Sequence, residues 1–171
     1  MAGNFRNPQP VAGTVAMMAW WGPYIGRRFG ERSECWSLVR DVYRERLGID
    51  LPEHGELSAT YVAVVEALRW QHVPRHQLAA ARRAVMDAFD AGQASESWVK
   101  VDDPQAFDVV LMGGPHADRG RVMHVGVAVD STRVLHIEKA TGSVVVPLAH
   151  PSVAGRIIGY RRHISQCRIA S

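Results

Sequence analysis

Cys35 has the residue type and the position of a reactive nucleophile. It opens an apolar pattern with helical spacing, in which Ser33 can cap the first turn and Gly48 can end the last one. The first turn of a helix carries unpaired N–H groups and the positive end of the peptide dipoles. We therefore expect the Cys35 thiol to ionise more easily than a free thiol. The alternative is an unreactive core cysteine on an apolar helix face.

Two histidines, His124 and His136, lie in strand-like segments that follow one another in the sequence. Alternation puts Gly126 and Ala128 on the same face as His124, and these small residues leave room for a helix end. If a three-residue loop at 130–132 joins the two strands, both histidines share a face. A two-residue loop would put them on opposite faces.

This arrangement is typical of nucleophilic catalysis by cysteine. His124 would take the thiol proton or hold the thiolate as an ion pair, and His136 would hydrogen-bond the far nitrogen of His124. Each histidine alone is equally consistent with a hydrogen-bonded polar group in a half-buried strand. A metal site of Cys35, His124 and His136 is a further alternative, but no CxxC or HExxH spacing supports it. We expect neither a metal nor another cofactor.

The remaining pattern predicts helices first and strands second, which is the arrangement of an α+β domain. A helical insert is expected over 58–92, with helices from Ser58 to about Gln71 and from His76 to about Ala91. Six strand-like segments, expected to form a meandering antiparallel sheet, lie at Trp98–Val101, Phe107–Met112, Met123–Val129, Arg133–Glu138, Ser143–Leu148 and Arg156–Arg162.

Length and composition indicate one globular domain over residues 1–171, with an N-terminal arm at 1–15 and a C-terminal tail at 164–171. Two cysteines do not make a disulfide framework. The net charge of +3 comes from scattered arginines, which argues against nucleic acid as a partner and suits an anionic polymer such as cell wall. No stretch has the pattern of a membrane span or a secretory signal, so we expect synthesis in the cytoplasm and delivery by something else.

Several segments resemble the cysteine peptidases of the NlpC/P60 family over roughly residues 20–163. They are Tyr24–Gly26, Glu34–Arg40, Leu47–Pro52, Phe107–Met112, His124–Val127, Val134–Ile137 and Ile158–Arg162. The resemblance implies a papain-like α+β fold in which an N-terminal helix carrying the cysteine packs on a central antiparallel sheet. It also implies cleavage of peptidoglycan stem peptides, typically between D-glutamate and diaminopimelate.

By the same resemblance, the catalytic trio falls on Cys35, His124 and His136. The family's upstream tyrosine, which helps to bind substrate or the oxyanion, corresponds to Tyr24. Glu34 stands where the family usually has aspartate; with Trp36 it flanks the nucleophile and is expected to contact substrate. The backbone N–H of Cys35 is a further candidate oxyanion donor.

The Cys-Trp pair at 35–36 and the closing Gly-Tyr-Arg-Arg at 159–162 resemble the branch carried by tailed bacteriophages and gene-transfer-agent particles. This implies a virion or particle tail component, with tail hub or tip proteins as partners, that acts at the periplasm and cell wall. Two alternatives stay open. One is a mainly structural tail-tip piece with weak or latent hydrolase activity, and the other is an amidase or acyltransferase with the same trio.

Overall fold

A six-stranded antiparallel sheet forms the centre of the structure. The structure, a computed structural model, describes residues 19–30, 34–53, 75–114 and 120–169. The strands run in the spatial order β1-β6-β2-β3-β4-β5. They are β1 Trp98–Val101, β2 Val109–Gly113, β3 Val122–Ala128, β4 Arg133–Glu138, β5 Gly142–Pro147 and β6 Ile157–His163. Each predicted strand is present within one or two residues, which confirms the α+β class.

The sheet is not the simple meander that we expected. Strands β2 to β5 are neighbours in chain order, but β6 returns to lie between β1 and β2. All five residues of β2 are buried, so this strand needs covered faces and a hydrogen-bonding partner on both edges. Pairing of Val109 with Arg161 on one edge and with Val127 on the other meets that need.

The predicted nucleophile helix is present, but its last turn is π-helical and its N-cap residue is not the one we expected. Helix α1 covers Cys35–Val42, and a π-helical turn, Tyr43–Leu47, continues it to Gly48, whose left-handed φ of 65° ends the segment as predicted. The N-cap residue is Glu34, whose backbone N–H donates to Ser37 Oγ at 2.7 Å. Ser33, the cap we expected, lies outside the described residues.

Three further helices are described: α2 Arg75–Gln93, α3 Pro151–Ala154 and α4 Ile164–Ile169. Helix α2 confirms the helix predicted from His76 to about Ala91, whereas 58–71 and the arm at 1–15 lie outside the described residues. The predicted tail is helical over α4, where Gln166 Nε2 donates to Tyr43 Oη at 2.7 Å. None of the described helices combines the length and apolar character needed to cross a bilayer.

Helix α1 packs on one face of the sheet across β3 and β4. Its buried side chains are Leu38, Val39 and Val42, and they join a core with Val125, Val127, Leu135 and other strand residues. Full burial of an aliphatic side chain stabilises a protein by about 1.5–3 kcal/mol. This packing fixes the first turn of α1, with Cys35, against β3.

Asp108 and Arg162 form an ion pair that links β6 to the residue before β2. The Asp108 side chain is fully buried, and Arg162 binds it through two nitrogens at 2.8 and 2.7 Å. We expect Arg162→Met to lower the free energy of unfolding by about 3 kcal/mol, because it leaves a buried carboxylate without its counter-ion. Urea denaturation measures this change. The control is Arg44→Met, whose ion pair is half exposed and should contribute less than about 1 kcal/mol; equal losses in the two variants would contradict the prediction.

Candidate active site

The pairing of β3 with β4 is short, and it stops beside the nucleophile helix. The ladder contains only two residue pairs, Val127 with Leu135 and Ala128 with Val134. The backbone groups of β3 before Val127 that point toward β4 are therefore left without ladder partners. They are available to other parts of the chain.

The Cys35 thiol uses one of these free groups. Amide groups of a strand point alternately to its two neighbours, and the Ala128 N–H goes to Asp108 O on the β2 side at 2.7 Å. Val125, three residues earlier, therefore points toward β4. Its N–H is close enough to the Cys35 thiol to lower the pKa of that thiol. The thiol thus lies against the backbone of the residue that follows His124.

His124 and His136 form a buried hydrogen-bonded pair. The distance from His124 Nε2 to His136 Nδ1 is 3.2 Å, and both residues are buried. Val129 N–H donates to Arg133 O at 2.8 Å, so the loop contains three residues, as the shared face requires. The hydrogen bond expected between the two rings is therefore present.

A β-bulge lies directly before His124. Met112 pairs with His124 and Gly113 pairs with Val122, so Met123 is the extra residue. Simple alternation would put Met123 on the same face as Val125, but the bulge puts Val122 in the core instead, and Met123 is half-buried. Bulges bend a strand and redirect its side chains, and simple alternation does not include them.

The space left by the missing side chain of Gly126 is filled by β4 rather than by a helix end. A Cβ atom at Gly126 would lie 2.7 Å from Val134 Cγ2, 2.8 Å from Leu135 O and 3.1 Å from His136 Cβ. Our expectation of room for a helix end was wrong, since the adjacent strand fills the space. The glycine brings β4 close enough for His136 to reach His124.

The pKa of the Cys35 thiol is raised to about 12, which is opposite to our expectation. Burial away from water is the largest cause, and the carboxylate of Glu34 adds to it. The N–H groups of Val125, Trp36 and Cys35 itself lower the pKa, as the helix-start argument requires, but they do not offset desolvation. The thiol is therefore neutral at physiological pH.

Both histidines are also held neutral. Desolvation, followed by the charges of His136 and Arg156, lowers the pKa of His124 to about 3. Desolvation is again the largest cause of the lowered pKa of His136. If this thiol and this imidazole react together, their neutral forms favour proton transfer during the reaction over a thiolate–imidazolium pair formed beforehand.

Tyr24 is not at the site. Its side chain is fully buried, and its hydroxyl donates to Glu45 Oε2 at 2.8 Å. Glu45 follows Cys35 by ten residues, which is on the order of 15 Å along a helix. The role in binding substrate or the oxyanion that the resemblance gave to Tyr24 therefore does not fit. A cation–π contact with Arg27, at 4.7 Å, completes its surroundings.

Glu34 and Trp36 flank Cys35, and both make contacts that hold α1 in place; their contact with substrate stays a prediction. Glu34 caps α1, and its carboxylate disfavours negative charge at the thiol, so it cannot act as an oxyanion donor. Trp36 Nε1 donates to Pro52 O at 3.0 Å, and the indole meets the ring of Phe89 edge to face. Trp36 thereby ties α1 to α2.

Sequence comparison assigns the chain to a known family. The NlpC/P60 profile matches residues 21–162, which include Cys35, His124 and His136. The chain belongs to the NlpC/P60 family. Its antiparallel sheet and packed N-terminal helix are the α+β fold of that family.

Other comparisons with the NlpC/P60 chain are more distant. A search of curated proteins finds no match. Among solved structures, the chain is similar to a crystal structure of a Staphylococcus aureus protein of the NLP/P60 family, described as similar to lipoprotein. The identity is 18% and the TM-score 0.47; the match covers 82% of this chain and 37% of that one. This chain thus spans little more than a third of that protein's length.

A cavity of about 300 Å³ lies between α1, α2 and the sheet of this NlpC/P60 domain, and Cys35, His124 and His136 are not among its lining residues. Trp36 and Val125, which flank the thiol, are part of its wall. Aromatic rings of Phe89 and Trp98 supply much of the rest, and Arg161 adds a positive charge. The volume is at the lower end of the range for ligand pockets.

Glu138 is a member of the cluster that the sequence did not single out. The atoms of His124, His136 and Glu138 that could bind a metal, ring nitrogens and a carboxylate oxygen, lie within 4.8 Å of one another. A metal does not suit this group, because Arg156 Nη1 already binds Glu138 Oε1 at 2.6 Å and the two rings bind each other. Glu138 follows His136 by two residues and therefore lies on the same face of the strand, so the sequence alone could have pointed to it.

The raised thiol pKa predicts how Cys35 reacts with iodoacetamide. Because only the thiolate reacts, the rate constant should rise about tenfold per pH unit, without a plateau below pH 10, whereas an ordinary thiol with pKa near 8.5 levels off. Mass spectrometry of Cys167→Ser protein, which leaves Cys35 as the target, measures the rate. A plateau below pH 8 would show that the thiolate is already stabilised.

Proposed function

We propose that this NlpC/P60 domain is a cysteine peptidase that cleaves peptidoglycan stem peptides, with Cys35 as nucleophile and His124 as base. The observation that carries the proposal is the meeting of two contacts on one strand. The N–H of Val125 acts on the Cys35 thiol, whose pKa it lowers, and the adjacent His124 is hydrogen-bonded to His136. Membership of the family supports the same chemistry.

The hydrogen bond between the rings supports Nδ1 of His124 as the nitrogen that acts as base. His124 Nε2 is used by His136 Nδ1, so Nδ1 of His124 is the nitrogen left for the thiol. To accept a proton there, His124 must carry its own proton on Nε2 and donate it to His136. His136 then orients the base and stabilises the cation that forms.

The reaction follows from these roles. As Cys35 Sγ attacks the amide carbonyl carbon, its proton moves to His124 Nδ1, and the carbonyl oxygen becomes an oxyanion. The backbone N–H of Cys35 is the proposed oxyanion donor. Collapse breaks the C–N bond, and His124 gives its proton to the leaving amine to form a thioester. Water, deprotonated by His124, then releases the acid and the thiol.

The substrate bond and the setting are finer parts of the proposal. We propose cleavage between D-glutamate and diaminopimelate, because that is the usual bond of the family that the chain resembles. We also propose delivery in the tail of a phage-like particle, bound to hub or tip proteins and acting locally on the wall. The particle branch rests on the Cys-Trp pair and the closing segment Gly159–Arg162.

Digestion of purified peptidoglycan tests the activity directly. Wild-type protein and Cys35→Ala should be incubated with the same sacculi under reducing conditions, and released muropeptides identified by mass spectrometry. New stem-peptide termini from the wild type alone would support the proposal and name the bond. The matched control is Cys167→Ser, which changes the exposed cysteine and should keep full activity.

Other outcomes point to the alternatives. If the wild type releases nothing, the proposed activity is wrong for the isolated protein, and a structural role in a tail tip becomes the better hypothesis. If it releases whole stem peptides detached from the sugar, rather than fragments cut within the stem peptide, the enzyme is an amidase. Binding of the protein to particle hub proteins, measured by co-purification, tests the tail assignment separately.

A further inference from the structure

A second charged pair borders the histidines, and the reaction described above does not use it. Arg156 Nη1 lies 2.6 Å from Glu138 Oε1. The same carboxylate oxygen lies 3.8 Å from Nδ1 of His136. One oxygen therefore stands between a guanidinium and the ring nitrogen that binds His124.

The backbone holds Arg156 in this place. Its Nε donates to Gly113 O at 3.0 Å, and Gly113 N–H donates to Arg156 O at 2.7 Å. Gly113 is the last residue of β2, so the guanidinium is anchored to the end of a central strand. The side chains of Arg156 and Glu138 are 20% and 29% exposed, so water screens their interaction only in part.

We propose that Arg156 is a positioning residue that keeps the Glu138 carboxylate from placing a proton on Nδ1 of His136. Nδ1 of His136 then stays an acceptor, and His124 keeps its proton on Nε2. This inference rests on the proposed function, because it concerns the nitrogen of His124 that receives the thiol proton.

His124 and Glu138, the two neighbours of His136 Nδ1, favour opposite protonation states of this nitrogen. His124 must donate to this nitrogen, whereas an unpaired carboxylate 3.8 Å away favours a proton on it. With that proton present, Nδ1 of His136 becomes a donor and takes the lone pair of His124 Nε2. His124 then carries its proton on Nδ1 and has no lone pair for Cys35.

Four influences act on the protonation of His136. Burial is the largest and favours the neutral ring; Glu138 favours the charged ring, and Arg156 and His150 oppose it. His150 is itself engaged, with Nδ1 2.7 Å from Ser152 Oγ. Removal of Arg156 leaves Glu138 without its counter-ion and should therefore raise the pKa of His136.

The test uses four variants: Arg156→Gln, Arg156→Lys, Glu138→Gln and the double variant of Arg156→Gln with Glu138→Gln. Ring ¹⁵N chemical shifts of the histidines, followed against pH by NMR, report both the protonation midpoint of His136 and the nitrogen that carries the proton. In Arg156→Gln we expect the midpoint to rise by about one pH unit or more, which is a tenfold change in the protonation equilibrium. The double variant should return to the wild-type midpoint, and Arg156→Lys should stay near it.

Activity gives a second readout. The acid limb of the pH profile of kcat/KM should move to higher pH in Arg156→Gln and return in the double variant. A purely structural role predicts a uniform loss at all pH values without rescue. Because the NMR measurement needs no turnover, the inference can succeed or fail even if peptidoglycan is not the substrate.

Two results would overturn the inference. One is an unchanged His136 midpoint in folded Arg156→Gln, or a raised midpoint that the double variant does not restore. The other comes from Glu138→Gln, which removes the carboxylate and leaves Arg156 in place. If that variant raises the midpoint of His136, Glu138 does not act as proposed, and this holds even if Arg156→Gln fails to fold.

Discussion

His124→Gln should lower kcat/KM for stem-peptide cleavage by about 10²–10⁴-fold, the contribution typical of a positioned general acid–base group. Glutamine retains polarity and comparable size but cannot take the proton of Cys35. With the thiol pKa raised to about 12, very little thiolate forms at neutral pH without a positioned base. Initial rates on a purified muropeptide, followed by mass spectrometry, give the ratio.

Alkylation of Cys35 separates the mechanism from misfolding in this variant. Since the resting thiol is already neutral, its reaction with iodoacetamide at pH 9–10 should change only a few-fold in His124→Gln. A preformed ion pair would instead predict a large drop at neutral pH. His76→Gln, on the exposed side of α2, is the matched control and should retain full activity. Activity of His124→Gln within tenfold of wild type would refute the role.

Gly126→Ala should disturb stability and catalysis together. Its new methyl would lie 2.8 Å from Leu135 O and 2.7 Å from Val134 Cγ2, so β4 must move. Overpacking of this kind typically costs about 1–3 kcal/mol. The same movement shifts His136, and a misplacement of about 1 Å in a catalytic group can cost about 10²-fold in rate. Urea denaturation and kcat/KM measure the two effects.

Gly30→Ala is the control for this substitution. No heavy atom lies within 4 Å of a Cβ built at Gly30, so its free energy of unfolding should stay within about 0.5 kcal/mol of wild type. If Gly126→Ala is as stable and as active as Gly30→Ala, then β4 tolerates the displacement. The close approach of the strands would then not be what sets the histidine pair.

Local pattern was enough to predict the elements that hold the site. Helix α1 is predictable because its apolar spacing and the left-handed Gly48 act within a few residues. The pairing of His124 with His136 is predictable because a three-residue loop fixes which side chains share a face. Both arguments use contacts between residues close in sequence.

Features that depend on distant residues were not predictable in this way. The pKa of Cys35 depends on desolvation by the elements packed around it, and helix position alone gave the wrong direction. The hydroxyl of Tyr24 binds Glu45, a contact that resemblance could not reveal. Glu138 forms its ion pair with Arg156, which follows α3 in the sequence, so the pattern around Glu138 could not predict this contact.

The place of β6 between β1 and β2 has a consequence for how the chain folds during synthesis. Strands β2 to β5 can pair as soon as they leave the ribosome, because each contacts the next. One edge of β2 has no hydrogen-bonding partner, and Asp108 has no counter-ion, until β6 and Arg162 are synthesised more than fifty residues later. Contacts between such distant segments slow folding. Nascent chains that stop before β6 should therefore lack a finished sheet and be poor hydrolases, even though they contain Cys35 and both histidines.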